Sequence, residues 1–383
     1  MKENGYSVTS LFCGAGGLDL GFKWQGFRII WANDNNPNAV RTYNYNIGNY
    51  ARCQDILSIT SDELPHADIV IGGPPCQPYS HLGLRRKNDP RSQLVFRFLD
   101  IIREVRPKVL VMENVPGIES SRIDGHRLVD YLAERFQRIG YTMTKMRLLA
   151  TDYLVPQLRR RVILVGGLGL TIDTPDAPTF AKSCYRIDHR GFDLSACAAI
   201  GDLGKCVRKG ELASYKHLPH SEFARLMRQK QLTKVSLHEC PRMSETDKLL
   251  VKHIPPGGNY RDIPDEIAPG RVKKYKESGG RTTAYGRLHP NRPSYTINTY
   301  FRRPNVGSNF HYEEDRLITA REAMRFQSFP DDFELFFNSQ DKRNAMIGNA
   351  VPPLMARAVA WSVQMALEDK PMPGQQSLGS FQD

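Results

Sequence analysis

The sequence predicts an α/β protein, a doubly wound and mostly parallel sheet that carries a smaller, irregular lobe. Three observations predict it. Short apolar runs rich in β-branched residues alternate with segments of helical period as far as Leu168. Each run ends on glycine, proline or a polar residue, as strands do where they give way to loops. Beyond Leu168 the alternation stops, and prolines, glycines and short basic clusters take over.

Val8–Phe12 is the first strand. It runs into Cys13-Gly14-Ala15-Gly16-Gly17 and then Leu18-Asp19-Leu20-Gly21-Phe22. Strand, glycine loop and helix form a cradle in which backbone approaches a ligand and a helix N-terminus offers free N–H groups. Phe27–Ala32 is the second strand, ending in Asn33-Asp34. An acid there is placed for ribose hydroxyls, although Asp34 could equally cap the next helix. Asp55 follows in a loop. Ile69–Ile71 is a buried strand broken by Gly72-Gly73-Pro74-Pro75, with Cys76 at the tip of a stiff turn. Residues 81–91 are polar, basic and aperiodic, a loop. Residues 92–105 have helical spacing. Lys108–Met112 is a strand that delivers Glu113-Asn114 past its end. A helix is expected at 125–139 and strands at 141–149 and 162–167. Between those two strands lies the cationic turn 155–161, with Gln157, Arg159 and Arg161. A helix at 320–329, the turn 347–353 and a helix at 354–368 close the fold. The tail from Pro371 has a disordered composition.

Composition narrows the partners. Lys and Arg number 53 against 41 Asp and Glu, a formal net charge of +12 over 383 residues. Such an excess suits a polyanion better than a small neutral substrate. No apolar run is long enough to cross a membrane, and the first residues lack the apolar stretch of a signal peptide. The seven cysteines are dispersed and odd in number, and none forms a C-x-x-C pair. That pattern argues against a disulfide framework or zinc module and for a reducing compartment.

In a sheet of this kind the strand ends meet on one edge. They bring together the glycine loop, Asp34, Cys76, Glu113 and the Gln157–Arg161 turn. A thiol, a carboxyl group and a guanidinium beside a nucleoside cofactor suit nucleophilic catalysis on a polar ring. Cationic neighbours favour the thiolate that attacks.

The motifs that carry these residues, in this order, resemble those of the cytosine-5 DNA methyltransferases. Leu11-Phe12-Cys13-Gly14-Ala15-Gly16-Gly17 is similar to their first cofactor motif, and Gly73-Pro74-Pro75-Cys76-Gln77 to the catalytic Pro-Cys motif. Glu113-Asn114-Val115 and Gln157-Leu158-Arg159-Arg160-Arg161 follow. Residues 316–333 and Gly348-Asn349-Ala350-Val351-Pro352 resemble the last two. The chain departs from the family at Ser10, where Asp is frequent, and at Asp34, where Glu is frequent.

The resemblance implies a class I methyltransferase, Rossmann-like fold and S-adenosyl-L-methionine as cofactor. Phe12 would lie on its adenine, Gly14, Gly16 and Gly17 would form its loop, Asp34 would bind the ribose and Asp55 the adenine amino group. Leu94, after Arg91-Ser92-Gln93, would line the pocket, and Asn349 would support cofactor and catalytic loop. Cys76 would add to C6 of a flipped-out cytosine, Glu113 would contact N3 and the amino group, Arg161 would contact O2, and Arg159 would help place the thiol. No metal is called for.

Residues 1–182 are expected to form the catalytic and cofactor domain, 183–335 the target-recognition domain and 336–383 a return to the first. Lys273, Lys274, Lys276, Arg302 and Arg303 are candidate phosphate contacts in the second. The expected partner is double-stranded DNA, with the chain a monomer in the bacterial cytoplasm that works either beside a restriction endonuclease of the same site or as an orphan methylase. A tRNA cytosine-5 methyltransferase shares all six motifs. A silent DNA-binding homologue would not need Cys76, Glu113 and Arg161, and an oxidoreductase would give Cys76 and Glu113 no shared purpose.

Overall fold

The structure, a computed structural model, describes residues 3–75, 90–123, 125–229 and 232–370. The chain divides into two units. The first comprises residues 1–153, 160–190 and 353–383, and the second 154–159 and 191–352. The crossings fall after Arg190 and before Pro353, where the sequence reading drew 182/183 and 335/336. The helix Ala177–Tyr185 packs within the first unit and the helix Gln340–Asn349 within the second, which moves both limits. The six residues 154–159 were not anticipated as part of the second unit.

Seven strands form the sheet of the first unit: β1 (Ser7–Leu11), β2 (Arg28–Asp34), β3 (Ala51–Cys53), β4 (Ile69–Gly72), β5 (Val109–Asn114), β6 (Tyr141–Leu149) and β7 (Arg160–Leu168). Their order is β3-β2-β1-β4-β5-β7-β6. The four pairings from β3 to β5 are parallel, and β7 runs antiparallel to both β5 and β6. Chain order reverses between β1 and β4, so the crevice beyond their carboxyl ends is the ligand site such sheets favour.

Helices α1 (Gly17–Trp24), α2 (Pro37–Asn46), α3 (Pro90–Val105) and α4 (Leu128–Arg138) connect these strands, and α5 (Ala177–Tyr185) follows the last of them. On α3 the buried positions Val95, Phe98, Ile101, Ile102 and Val105 recur at helical spacing. With Leu128, Leu132 and Phe136 of α4 they close one core over Leu11, Val70, Leu110 and Met112. The helix expected from 125 starts instead at Leu128, because a small hairpin pairs Ile123 with His126 and Gly125 takes a φ of 84°. The C-terminal helix Pro353–Leu367 packs on α1, where a Cβ on Gly21 would come within 2.5 Å of the Ala356 Cβ.

The second unit is built from short elements around Leu250, Tyr260, Val272, Phe310 and Leu317. Buried charge organises much of the rest. Arg325, fully buried, donates to Asp331 at 2.5 and 2.6 Å and to Asp202 at 3.1 Å. Arg316 meets Glu322 at 2.9 and 2.8 Å, while Glu322 closes a capping box with Thr319 on the helix Ala320–Phe326. Residues 316–333, read as a family motif, are therefore an architectural network. The unit also holds a disulfide, although the dispersed cysteines argued against a disulfide framework. Cys206 and Cys240 are bonded, their backbones joined by the Cys240 N–H donating to the Val207 carbonyl at 2.9 Å. Sequence spacing alone does not reveal so non-local a pairing.

Candidate active site

Within the first unit, the carboxyl ends of β1, β2, β4 and β5 assemble the candidate site. β1 leads into Phe12, which holds a φ of 55°, and into Gly14 and Gly16 at 55° and 87°. A Cβ on Gly16 would fall 2.1 Å from Ile47 Cδ1 and 2.9 Å from Tyr43 Cδ2, so only glycine fits beneath the loop. At Gly14 the same test meets open space within 4 Å, leaving backbone accessible to a ligand. Gly17 opens α1. Phe12 and Leu94 are half-buried and pack on the same core, at its rim.

Asp34 ends β2. Its Oδ2 accepts the Gly14 N–H and its Oδ1 the Asn36 N–H, both at 2.9 Å. Burial pushes its carboxyl up, and those two N–H groups oppose the shift. The cap of α2 is Asn36, which accepts the Asn38 N–H. The alternative role considered for Asp34 thus belongs to its neighbour. Asp55 is exposed and accepts the Leu57 N–H at 3.0 Å, capping a short 3-10 turn.

At the end of β5, Glu113 is 9% exposed and its Oε1 lies 2.7 Å from Arg161 Nε. The contact is an ion pair without a well-aligned hydrogen bond, since that N–H finds no acceptor. Burial lowers the Arg161 pKa and Glu113 opposes the shift. A Cβ on Gly73 would stand 3.0 Å from Glu113 Oε2, so the glycine lets the β4 turn close on the carboxylate. Next to it, the Asn114 side-chain amide donates to the Pro74 carbonyl at 3.0 Å. Cys76 lies outside the described residues, as do residues 81–89 of the expected loop and the tail from 371.

The alternation of β-structure buries Gln157, Arg159 and Arg161 and exposes Leu158 and Arg160. The three were expected to act at one edge. Arg161 belongs to the first unit, and Gln157 and Arg159 to the second. There Arg159 donates to the carbonyls of Ile297 at 3.1 Å, Gly348 at 2.8 Å and Ala350 at 2.9 Å. Asn349, exposed, ends the helix of residues 340–349 in that unit. Of the five candidate phosphate contacts, Lys276 is paired with Asp265 and Arg302 with Asp341, both at 2.6 Å, and Arg303 lies over the Tyr300 ring. Lys273 and Lys274 are exposed.

Sequence reasoning passed over Asp19. It lies in the first turn of α1, fully buried, with Oδ1 accepting the Tyr43 hydroxyl at 2.7 Å. Its Oδ2 makes no well-aligned hydrogen bond. Burial pushes its carboxyl up to about 6, against the hydroxyls of Ser10 and Tyr43. The available signal was an acid between two leucines on a buried helix.

Comparison with known proteins identifies the arrangement. A family model described as C-5 cytosine-specific DNA methylase matches residues 6–365. The Type II methyltransferase M.AgeI of Thalassovita gelatinovora is 30% identical over 434 residues, covering 94% of this chain and 99% of that protein. M.XorII of Xanthomonas oryzae is 34% identical over 385 residues, covering 94% and 85%. A putative DNA modification methyltransferase encoded within an E. coli prophage superposes with a TM-score of 0.73 at 22% identity, covering 95% and 99%. The Dnmt2 methyltransferase of S. pombe gives 0.57 at 17% identity, covering 95% and 99%. At those identities the two solved structures establish the class I, Rossmann-like fold.

Proposed function

The chain belongs to the C-5 cytosine-specific DNA methylase family, and from that premise we propose the cofactor, the residues and the partner with which it acts. It is a DNA (cytosine-5) methyltransferase, and the family match favours DNA over tRNA as its substrate. The methyl donor is S-adenosyl-L-methionine, which supplies an electrophilic methyl group on a sulfonium. The observed cradle fits it. Gly14 and Gly16 leave backbone open where a side chain would intrude, Asp34 stands at the second strand end for the ribose, and Phe12 and Leu94 offer apolar flanks for adenine. Asp55 has a second carboxylate oxygen for the adenine amino group.

Cys76 adds through its thiolate to C6 of a cytosine rotated out of the duplex. The new S–C6 bond displaces the C5–C6 π pair onto C5, which takes the methyl group as its bonding pair stays on the donor's sulfur. Water takes the C5 proton, and the C–H bonding pair re-forms the C5–C6 double bond as the S–C6 pair leaves with the thiolate. Glu113 hydrogen-bonds N3 and the amino group, where electron density rises, while Arg161 holds Glu113 and reaches O2. Arg159 acts at one remove, by fixing the backbone of residues 297 and 348–350.

The observation that carries this reading is the convergence of Gly73, Glu113 and Arg161, with Asn114 holding the carbonyl two residues before Cys76. Cys76→Ser is expected to abolish turnover and leave cofactor binding intact, because a hydroxyl is scarcely ionised near neutral pH. Methylation by the serine variant at most of the native rate would sink the covalent route. The protein acts as a monomer in the bacterial cytoplasm, beside a restriction endonuclease whose site it protects. Bisulfite sequencing of DNA from an expressing host identifies that site.

A further inference from the structure

We propose that Asp19 is a positioning residue that gives the cofactor cradle its charge preference, favouring the cationic methyl donor over the neutral thioether left after transfer. The inference rests on the cofactor reading above.

A buried carboxylate without a cation is costly and is ordinarily replaced or paired. Asp19 is fully buried, one oxygen is held by the Tyr43 hydroxyl, and the other makes no well-aligned hydrogen bond, so neutral groups alone, the Ser10 and Tyr43 hydroxyls and its own backbone N–H, stabilise its charge. Among the described residues no Lys, Arg or His forms an ion pair with Asp19 or with Asp34. The two acids bracket the glycine loop. Both push up the pKa of Cys13, the loop residue between them, after the larger effect of burial. Among the described residues the loop therefore sits in a negative field with no paired cation. A ligand bearing positive charge supplies one.

Tyr43 ties this field to the loop's shape. Its hydroxyl holds Asp19 while its ring lies beneath Gly16. The groups that face Asp19 are Ser10 of β1, Cys13 of the loop and Tyr43 of α2, with Asp34 of β2 beyond Cys13; none is cationic. S-adenosylmethionine carries a sulfonium, and methyl transfer turns it into a neutral thioether. A carboxylate under the loop thus attracts the donor more than the product. Burial pushes the carboxyl up to about 6, so its charge, and with it the preference, should fade as pH falls through that value.

The test is calorimetry on the full-length protein with S-adenosylmethionine and S-adenosylhomocysteine between pH 5.5 and 8, for the wild type, Asp19→Asn and Tyr43→Phe. At pH 8 the ratio of product Kd to donor Kd should fall roughly tenfold in Asp19→Asn. Tyr43→Phe, which keeps the charge, should retain most of the ratio. In the wild type the ratio should drop toward the Asn value below about pH 6. Removing an unpaired buried charge should leave Asp19→Asn melting no lower than wild type at pH 8. If that variant fails to fold, Asp19→Ser, equally uncharged, takes its place, and a ratio at pH 8 equal to that of the wild type in a folded uncharged variant overturns the proposal. A ratio that is flat with pH in a wild type that binds both ligands overturns the proposal. A wild type that binds neither ligand overturns the cofactor reading first, and the proposal with it.

Discussion

Asn114 reaches across from the end of β5 and donates its side-chain amide to the carbonyl of Pro74, 3.0 Å away. The bond joins two neighbouring parallel strands just past their last paired residues, Gly72 and Met112. Beyond Pro74 only Pro75, with its fixed φ, separates this anchor from Cys76. Asn114→Ala should therefore lower kcat about tenfold or more while cofactor affinity stays within about twofold, since misplacement of a nucleophile is costly and the bond is remote from the glycine loop. Single-turnover kinetics beside calorimetry separate the two. Equal losses in both would point to general unfolding of the edge.

Gly16→Ala tests the cradle. The new methyl would meet Ile47 at 2.1 Å in a left-handed backbone of φ 87°. Strain of about 1–3 kcal/mol should lower the melting temperature, and cofactor Kd should rise at least tenfold. Gly14→Ala meets no neighbour within 4 Å of the added carbon. It should harm binding more than stability, because the methyl would stand in the ligand's space.

The buried network of the second unit sets an acid limit. Burial alone would raise the carboxyls of Glu322 and Asp331, but the guanidinium of Arg316 holds the first, and that of Arg325 the second, below the usual range. Depressed folded-state values mean that this stability is present in full above the unfolded value of about 4 and is lost as pH falls toward the folded one. Thermal melts should be level near neutrality and drop steeply below about pH 4.5. Asp331→Asn should lower the neutral melting temperature by several degrees and flatten the acid slope, since it leaves Arg325 buried and unpaired. An unchanged slope would place the acid sensitivity elsewhere.

Exposed cations and paired ones should behave differently toward DNA. Lys273→Ala or Lys274→Ala should weaken binding to all sequences alike and reduce the salt slope by roughly one unit. Lys276→Ala and Arg302→Ala break pairs with Asp265 and Asp341. They should shift the slope less, because those charges are already partly neutralised by carboxylates. Filter-binding across a salt series measures all four.

The sheet was legible in the sequence because its signals are local. A β-branched run ended by Gly-Pro-Pro, or a glycine loop opening a helix, states its structure within a dozen residues. The same locality exposed Asp34, Glu113 and Arg161, which stand at strand ends. What escaped depends on partners distant in the chain. Asp19 read as an ordinary helix residue until Tyr43, 24 residues on, was seen to hold it. The Cys206–Cys240 bond and the Arg325 triad each join separate segments, so no spacing rule announces them. Lys276 and Arg302, candidate phosphate contacts by sequence, are paired with carboxylates outside their own basic clusters.

The chain passes between its two units at 153/154, 159/160, 190/191 and 352/353. Modularity here is discontinuous, and that bears on how recognition can be exchanged between relatives. A cassette cut at 191 and 352 leaves the short segment 154–159 with the recipient, including the arginine whose three hydrogen bonds end on carbonyls at 297, 348 and 350. The graft would then meet a foreign clamp. Transplanting both pieces together, the six residues and the long stretch, keeps each carbonyl with the guanidinium it evolved beside, and the border between host and graft becomes four peptide bonds instead of two.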